Sequence, residues 1–455
     1  MFVFLANKID ITNISYKEMF IVSRVLLLVI LLSTPVLAER VEVFFNVPAG
    51  LEAYTGKQAV TFGVPFEKGV LRKSDPVRLV DESGAPLPAQ FEVTSVYGPE
   101  SPDVRWLLVD AFADVRAGKA SRAFLEFGAD VKSSVSPGRL EFQSGAGDFR
   151  MPTGAATFDS AQLRKFVLTD GEGKVFRPEP GTAEIERTGP VRAVVKFQGK
   201  YRAEDGSSIA DYVTRIRVYA GCSYARIYHT LIWTVDEKTQ IGGLHYALSF
   251  PGGQVQAGLD GHAVDLPPDG TIFQADWNVA RGAASGTHLD GWLAAPAGGG
   301  VFTGLRWAWQ QFPTSVGATS SELVLGLIGP EKPLSLLPMD AAVDAVKRVG
   351  NVLENGGMDA WDTNANVPYR PGGKDHKEGW ISPRGVAKTY EILVWLGDKD
   401  VSPEIKNILL QHPVFAYADP QFAVRASLPS PASACDPVKF PDVEGALKRA
   451  FDWTT

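Results

Sequence analysis

The run Tyr212-Val213-Thr214-Arg215-Ile216-Arg217-Val218-Tyr219, the turn Ala220-Gly221-Cys222-Ser223 and the run from Ala225 to Trp233 decide the fold of this chain. β-Branched and aromatic residues alternate with polar ones on both sides of a Gly-bearing turn, the pattern of two long antiparallel strands. Just upstream, Thr188-Gly189-Pro190 introduces Val191-Arg192-Ala193-Val194-Val195-Lys196-Phe197, whose alternation places Val191, Ala193, Val195 and Phe197 on one face. Consecutive strands of this length build a large antiparallel sandwich. The alternation also puts His229 opposite Tyr228, so its expected role is that of a hydrogen-bonded histidine inside a sheet.

Towards the N-terminus, from Arg40 to about Ala129, short alternating segments are separated by turn residues. Val41 to Phe45, Ala59 to Pro65 and Val77 to Val80 are strand-like, the last leading into the turn Asp81-Glu82-Ser83-Gly84. Their regular spacing predicts a closed barrel or a small sandwich. After Pro338 the pattern changes. Ala341 to Leu353 has helical spacing, Ser402-Pro403-Glu404 reads as an N-cap with Pro at the first helical position, and Val443, Leu447 and Phe451 recur at intervals of four. The expectation is a mainly β chain, with a β-barrel over 39–130 and a β-sandwich over 131–400 that carries a long loop at 355–383. Residues 401–455 then begin an α-helical region that stops short.

Composition agrees. The 45 Gly and 31 Pro make up about a sixth of the 455 residues, above an average of about 12%, which favours turns and short strands over long helices. A net charge of −7 gives no cationic footprint for nucleic acid. Cys222 and Cys435 are too few for a disulfide framework or a cysteine zinc site, and two unpaired thiols are expected rather than one bridge. The apolar run Val25 to Leu32 follows Arg24 and leads into Ser33-Thr34-Pro35-Val36-Leu37-Ala38. It is too short for a bilayer core of about 30 Å and fits a signal peptide over 1–38, with Met19 as an alternative start. The mature chain is therefore expected in the periplasm or outside the cell, with no stable membrane span.

Three segments carry a resemblance: Thr61-Phe62-Gly63-Val64-Pro65-Phe66-Glu67-Lys68-Gly69, Val77-Arg78-Leu79-Val80-Asp81 and Asp103-Val104-Arg105-Trp106-Leu107-Leu108-Val109-Asp110. They resemble the N-terminal module of the RIFT-barrel family, and more closely its PcRGLX/YetA-like, exo-rhamnogalacturonan lyase-type group. Ile185 to Ala193, Tyr212 to Tyr228, and Trp309-Gln310-Gln311-Phe312-Pro313 are similar to that group's sandwich module. Gly385 to Glu391, then His412 to Ala416, resemble its passage into an α/α toroid, although relatives often carry His where this chain has Tyr390. The resemblance implies a secreted carbohydrate-active protein, with β-elimination on an acidic pectic polysaccharide as the best-known activity, and a toroid that is truncated here.

Such a lyase must neutralise a uronate carboxylate, abstract the C5 proton and assist the leaving oxygen. The interval from Tyr369 to Tyr390 is rich in suitable side chains. His376, Tyr390, Arg384 and Lys388 are the catalytic candidates, and Tyr369, Arg370, Trp361 and Trp380 the candidates for holding an acidic polysaccharide or oligosaccharide. A charged loop is more often simply solvated, and the Tyr390 ring more often core. Trp277, Trp292, Trp307 and Trp309 add indoles able to stack on sugars, each more often core than platform. No cofactor or metal is implied by spacing. Two other functions compete with the lyase. One is a glycoside hydrolase drawing its carboxylate pair from Asp340, Glu354, Asp359, Asp362, Asp375 and Glu378; the other is a non-catalytic glycan-binding β-protein.

Overall fold

The computed structural model of the chain describes residues 39–128, 131, 140–145, 147–179, 181–235, 239–297, 299–335, 384–397, 400–426 and 436–454. Strands dominate, as the alternation predicts. The two runs quoted first form Ser208–Tyr219 and Tyr224–Trp233, paired antiparallel from Ala210↔Trp233 to Val218↔Ala225. Gly221 turns the chain between them at φ +71°, in the left-handed region that glycine enters freely.

Arg192–Arg202 pairs with the other edge of Ser208–Tyr219. Ala387–Trp395, remote in sequence, pairs along Tyr224–Trp233 from Tyr224↔Trp395 to Ile232↔Ala387. Val301–Leu305, Leu289–Ala295, Val255–Leu259 and His262–Leu266 then extend this sheet in that order. The facing sheet runs through Val279–Gly282, Thr271–Asp276, Thr314–Ala318, Glu322–Ile328, Gln240–Ser249 and Phe166–Asp170. Both inner faces meet in one apolar core that includes Phe166, Ile216, Ile227, Tyr246, Leu293 and Tyr390.

His229 lies in that core with no exposed surface. Thr214 Oγ1 is 2.8 Å from its Nδ1, Tyr201 Oη is 2.9 Å from its Nε2, and Phe166 stacks on the ring at 3.8 Å. Both ring nitrogens are satisfied, as the sheet position predicts. Burial lowers its pKa to about 3, so the imidazole is neutral.

The N-terminal unit is two sheets. Glu39–Asn46, Ala123–Phe127, Val77–Asp81 and Pro86–Leu87 form one, while Thr55–Pro65, Val104–Arg116, Ala89–Val96 and Lys119–Ala120 form the other. The expectation of a closed barrel is corrected here. Glu39–Asn46 has Ala123–Phe127 on one side and Phe415–Ala418 on the other, and Phe415–Ala418 lies alongside Thr55–Pro65 of the second sheet without pairing with it. Among the described residues no strand pairing joins the two sheets.

Among the described residues three helices follow the sandwich: α1 (Pro403–Gln411), α2 (Pro420–Arg425) and α3 (Pro441–Thr454). Ser402 caps α1 by accepting a hydrogen bond from the Ile405 amide, and Pro403 occupies the first turn, as the sequence predicts. The strand Phe415–Ala418 between α1 and α2 has no counterpart in the helical expectation for 401–455. A second core gathers Val43, Leu107 and Leu125 of the N-terminal unit with Trp292, Phe302 and Trp395 on the outer face of the sandwich, and Leu409 and Leu410 of α1. Polar contacts also cross that junction, among them Asp110, 2% exposed, which pairs with Arg192 at 3.1 Å and accepts from Thr61 Oγ1 at 2.5 Å.

The leader 1–38, the helical spacing at 341–353, the loop 355–383 and Cys435 lie outside the described residues. Cys222 is an unpaired thiol, buried, its pKa pushed up to about 11 by that burial. No helix among the described residues is long and apolar enough to cross a membrane.

The pH dependence of unfolding tests the His229 environment. With a folded pKa depressed below the ordinary histidine value of about 6.5, the unfolded chain takes up a proton that the folded chain refuses. This contribution is therefore complete above about pH 6.5 and is lost as the pH falls towards 3. His229→Gln is expected to flatten the slope of urea-unfolding free energy against pH between 6.5 and 4. An unchanged slope would show that His229 titrates alike in both states.

Candidate functional site

One edge of the sandwich carries exposed indoles beside a carboxyl group. Trp277 follows Thr271–Asp276 at a hairpin tip and is 52% exposed; Trp307 follows Val301–Leu305 and is 49% exposed. Exposure of this order is unusual for so large an apolar ring, and two such rings on one edge point to a binding surface. Trp309 is less exposed than either. Its ring meets Trp277 edge-on at 4.8 Å and His288 face-on at 4.2 Å, and Phe312 lies 6.3 Å from Trp277.

Trp307 holds a left-handed backbone, φ +57°, which is costly for an aromatic residue and needs support from its surroundings. That support comes from α1 and from the sheet. The Trp307 amide donates to Gln411 Oε1 at 2.8 Å, and the Gln411 amide nitrogen reaches the carbonyls of Leu305 and Asp290, each at 3.3 Å. The Arg306 guanidinium covers one face of the Trp307 ring at 4.3 Å.

Arg306 is itself anchored. Its Nη1 donates to Glu391 Oε2 at 3.0 Å, while Arg226 pairs with the other oxygen of the same carboxylate. Arg226, 8% exposed, also donates to the Leu409 carbonyl of α1 at 2.8 Å, and Tyr228 Oη donates to Glu391 at 3.2 Å. Burial alone would raise the Glu391 pKa, but the charges of Arg226 and Arg306 outweigh it and hold the carboxyl below its usual range.

Asp290 lines a shallow depression of about 140 Å³ together with Trp307, Trp309, Asn407, Gln411 and His412. Burial pushes its pKa up to about 6, and the neighbouring charge of Asp260 adds to this; the Gly261 amide, 3.1 Å from Oδ2, acts the other way. Asp260 is shifted the opposite way, downward, because its carboxylate accepts from the His288 amide at 2.7 Å and the Thr287 amide at 3.0 Å. Two nearby carboxyl groups thus have environments that separate their protonation states, a pattern found at acid–base sites and in structural ion clusters alike.

His376, Tyr369, Arg370, Trp361 and Trp380 lie outside the described residues, as do Asp340, Glu354, Asp359, Asp362, Asp375 and Glu378. Arg384 is exposed in the turn before Ala387–Trp395. Lys388 turns its ammonium over the Tyr390 ring at 4.8 Å, where desolvation lowers its pKa although the residue as a whole stays exposed. Tyr390 is 2% exposed within the sandwich core, and burial raises its phenol well above the usual value. Strand alternation sends Glu391, the next residue, to the opposite face, where it anchors the indole edge. Of the tryptophans considered in the sequence, Trp292 is core at 1% exposure, whereas Trp277 and Trp307 are about half exposed. Asp290, Asp260 and Glu391 carried no spacing signal that would have drawn attention to them.

Residues 168–254 match the family model for the PcRGLX-like protein central beta sandwich domain. This stretch is a PcRGLX-like central β-sandwich domain. The PcRGLX-like domain supplies the facing strand Gln240–Ser249 and the Ser208–Tyr219/Tyr224–Trp233 pair, and thereby Arg226; the indole edge itself follows it in sequence. Among solved structures the chain is similar to an alpha-mannosidase from Enterococcus faecalis V583, at 11% identity and a TM-score of 0.46, with 84% of this chain and 46% of that one covered. It is also similar to a protein in the Glycosyl Hydrolase Family 38 from Enterococcus faecalis, at 13% identity and a TM-score of 0.47, with 85% and 48% covered. The chain spans about half the length of these solved structures. No curated protein matches it.

Removing the Glu391 charge tests the anchor. Glu391→Gln is expected to cost about 3 kcal/mol in urea unfolding at pH 7, since it leaves the buried Arg226 uncompensated. Because the folded pKa of Glu391 is depressed, its contribution is present above the ordinary carboxyl range and lost as the pH falls through the folded value. The gap between variant and parent should therefore narrow at low pH. A gap that is equal at pH 7 and pH 3 would show that the pair contributes by shape and not by charge.

Proposed function

We propose that this is a carbohydrate-active protein that engages a glycan on the edge formed by Trp277, Trp307 and Trp309. The observation that carries this reading is the pair of half-exposed indoles beside a depression lined with hydrogen-bonding groups. Sugars present apolar C–H faces to aromatic rings and hydroxyls to amides and carboxyls, so a platform flanked by Asp290, Asn407 and Gln411 suits them. The PcRGLX-like sandwich supports the same reading, since the resemblance that it carries is to a carbohydrate-active group.

The finer reading is β-elimination on a uronic-acid-containing, rhamnogalacturonan-like glycan by a protein exported through the leader that ends at Ala38. It draws on the cationic run from Tyr369 to Lys388, with His376 as base and Arg370 or Arg384 as carboxylate clamps. A hydrolytic alternative is favoured by one observation, the opposite shifts of Asp290 and Asp260, which would set an acid beside an ionised carboxylate.

Trp307→Ala and Trp277→Ala are each expected to weaken retention on glycan-containing affinity gels by about ten-fold, the scale of a lost aromatic contact of 1–1.5 kcal/mol. Unchanged retention in both variants would remove the indole edge as the binding surface. In parallel, incubation with rhamnogalacturonan distinguishes the chemistries. Elimination yields the ultraviolet absorbance of an unsaturated uronate, hydrolysis yields new reducing ends without it, and retention with neither product leaves a binding protein.

A further inference from the structure

We propose that Arg217 is the centre of an oxyanion-binding site on the outer face of the sandwich, where the Nη edge of its guanidinium takes a carboxylate or sulfate group. The site is separate from the indole edge and does not depend on the glycan reading. Ile216 and Val218 enter the sandwich core, so alternation turns Arg217 to the opposite face of its sheet. The register sets it beside Val194 on one neighbouring strand and directly opposite Arg226 on the other. Like charges placed opposite one another destabilise a sheet unless something offsets them.

Such an offset reaches the neighbours of Arg217 but not Arg217 itself. Arg187 pairs with Glu92, Arg192 with Asp110 at 3.1 Å, Arg215 with Glu186 at 2.7 Å, and both Arg226 and Arg306 with Glu391. These five guanidinium groups share four carboxylates, and among the described residues none is left to pair with Arg217. Glu186 acts on Arg217 only through space, because both of its oxygens accept from Arg215. Glu391 gives one oxygen to Arg226 and Tyr228 and the other to Arg306. The patch therefore carries more positive charge than its own acids neutralise.

What remains is an oriented donor. The Arg217 guanidinium lies 4.1 Å from the centre of the Tyr228 ring, a contact that fixes its plane. Its Nε is buried with no hydrogen-bond partner, while Arg217 and Tyr228 as whole residues are only half-buried. A guanidinium held in one plane presents parallel N–H groups that match two oxygens of a carboxylate or a sulfate. A neutral hydroxyl brings no charge to offset the Arg217 and Arg226 pair, so the site favours an anion. That chemistry is the same for an oxyanion carried on a polymer and for one free in solution.

The test is equilibrium dialysis of the full chain against radiolabelled sulfate at low ionic strength, where screening is weak, with unlabelled galacturonate as competitor. The expected result is one equivalent of sulfate, displaced by galacturonate. Arg217→Gln should lower the affinity at least ten-fold, the scale of a lost charge-assisted hydrogen bond. Arg217→Lys, which keeps the charge and loses the fork, should fall between that variant and the parent, and Arg116→Gln, at a remote exposed pair, should match the parent. Retention on a polygalacturonate gel that disappears in Arg217→Gln assigns the anion to a polymer, whereas sulfate binding without such retention assigns it to a free ion; both keep the site. No binding of sulfate or galacturonate by the parent, or equal binding by the parent and Arg217→Gln, overturns the inference and leaves the indole edge untouched. Circular dichroism of each variant confirms that lost binding is not lost folding.

Discussion

The carboxylate of Glu391, shared between Arg226 and Arg306, is the interaction on which the geometry of the indole edge depends. It joins three strands of one sheet, and through its two guanidinium partners it reaches two different structures. Arg226 continues to the Leu409 carbonyl and so fixes α1, while Arg306 continues to the face of Trp307. Asn407, Gln411 and His412 come from α1, and Trp307 comes from the sheet, so both walls of the depression are referred to one buried charge. In a partly buried setting such a pair needs its remaining hydrogen-bonding capacity met; Tyr228 and the Leu409 carbonyl meet part of it, while the buried Arg306 Nε has no hydrogen-bond partner among the described residues.

The strand Ala387–Trp395 shows how one element serves two purposes. Its even-numbered inner residues Tyr390, Ile392 and Val394 enter the sandwich core. Leu393 and Trp395 face outward into the second core, and Glu391 shares their face. The strand is central, flanked by Tyr224–Trp233 and Val301–Leu305, so its register is set by apolar packing on both faces. An anchor placed on such a strand inherits that rigidity, which suits a surface that must hold Trp307 in an unfavourable backbone conformation.

Much of this architecture was legible. The long strands Ser208–Tyr219 and Tyr224–Trp233 announce themselves by strict alternation around a Gly turn, His229 is where a period of two puts it, and Ser402-Pro403 marks the start of α1 through cap chemistry that is local. What local pattern does not encode is pairing between distant segments. Phe415–Ala418 is too short to read as a strand by itself, and its choice of Glu39–Asn46 as partner is a tertiary event. The indole edge was half legible. Trp277, Trp307 and Trp309 were visible as a class, but whether an indole is platform or core is settled by packing, and Trp292 went the other way. Asp290 and Asp260 acquire their character from burial and from backbone amides, neither of which has a sequence period.

The pairing of Phe415–Ala418 with Glu39–Asn46 has a consequence for how the chain is made. A ribosome emits Glu39 long before Phe415, so the first strand must wait through the synthesis of the whole sandwich with one side of its backbone unsatisfied. An open strand flank of that kind invites foreign strands, and contacts of such sequence separation form slowly. Late closure by the C-terminal segment would thus act as a final clasp, and the nascent protein has reason to need shielding until it forms.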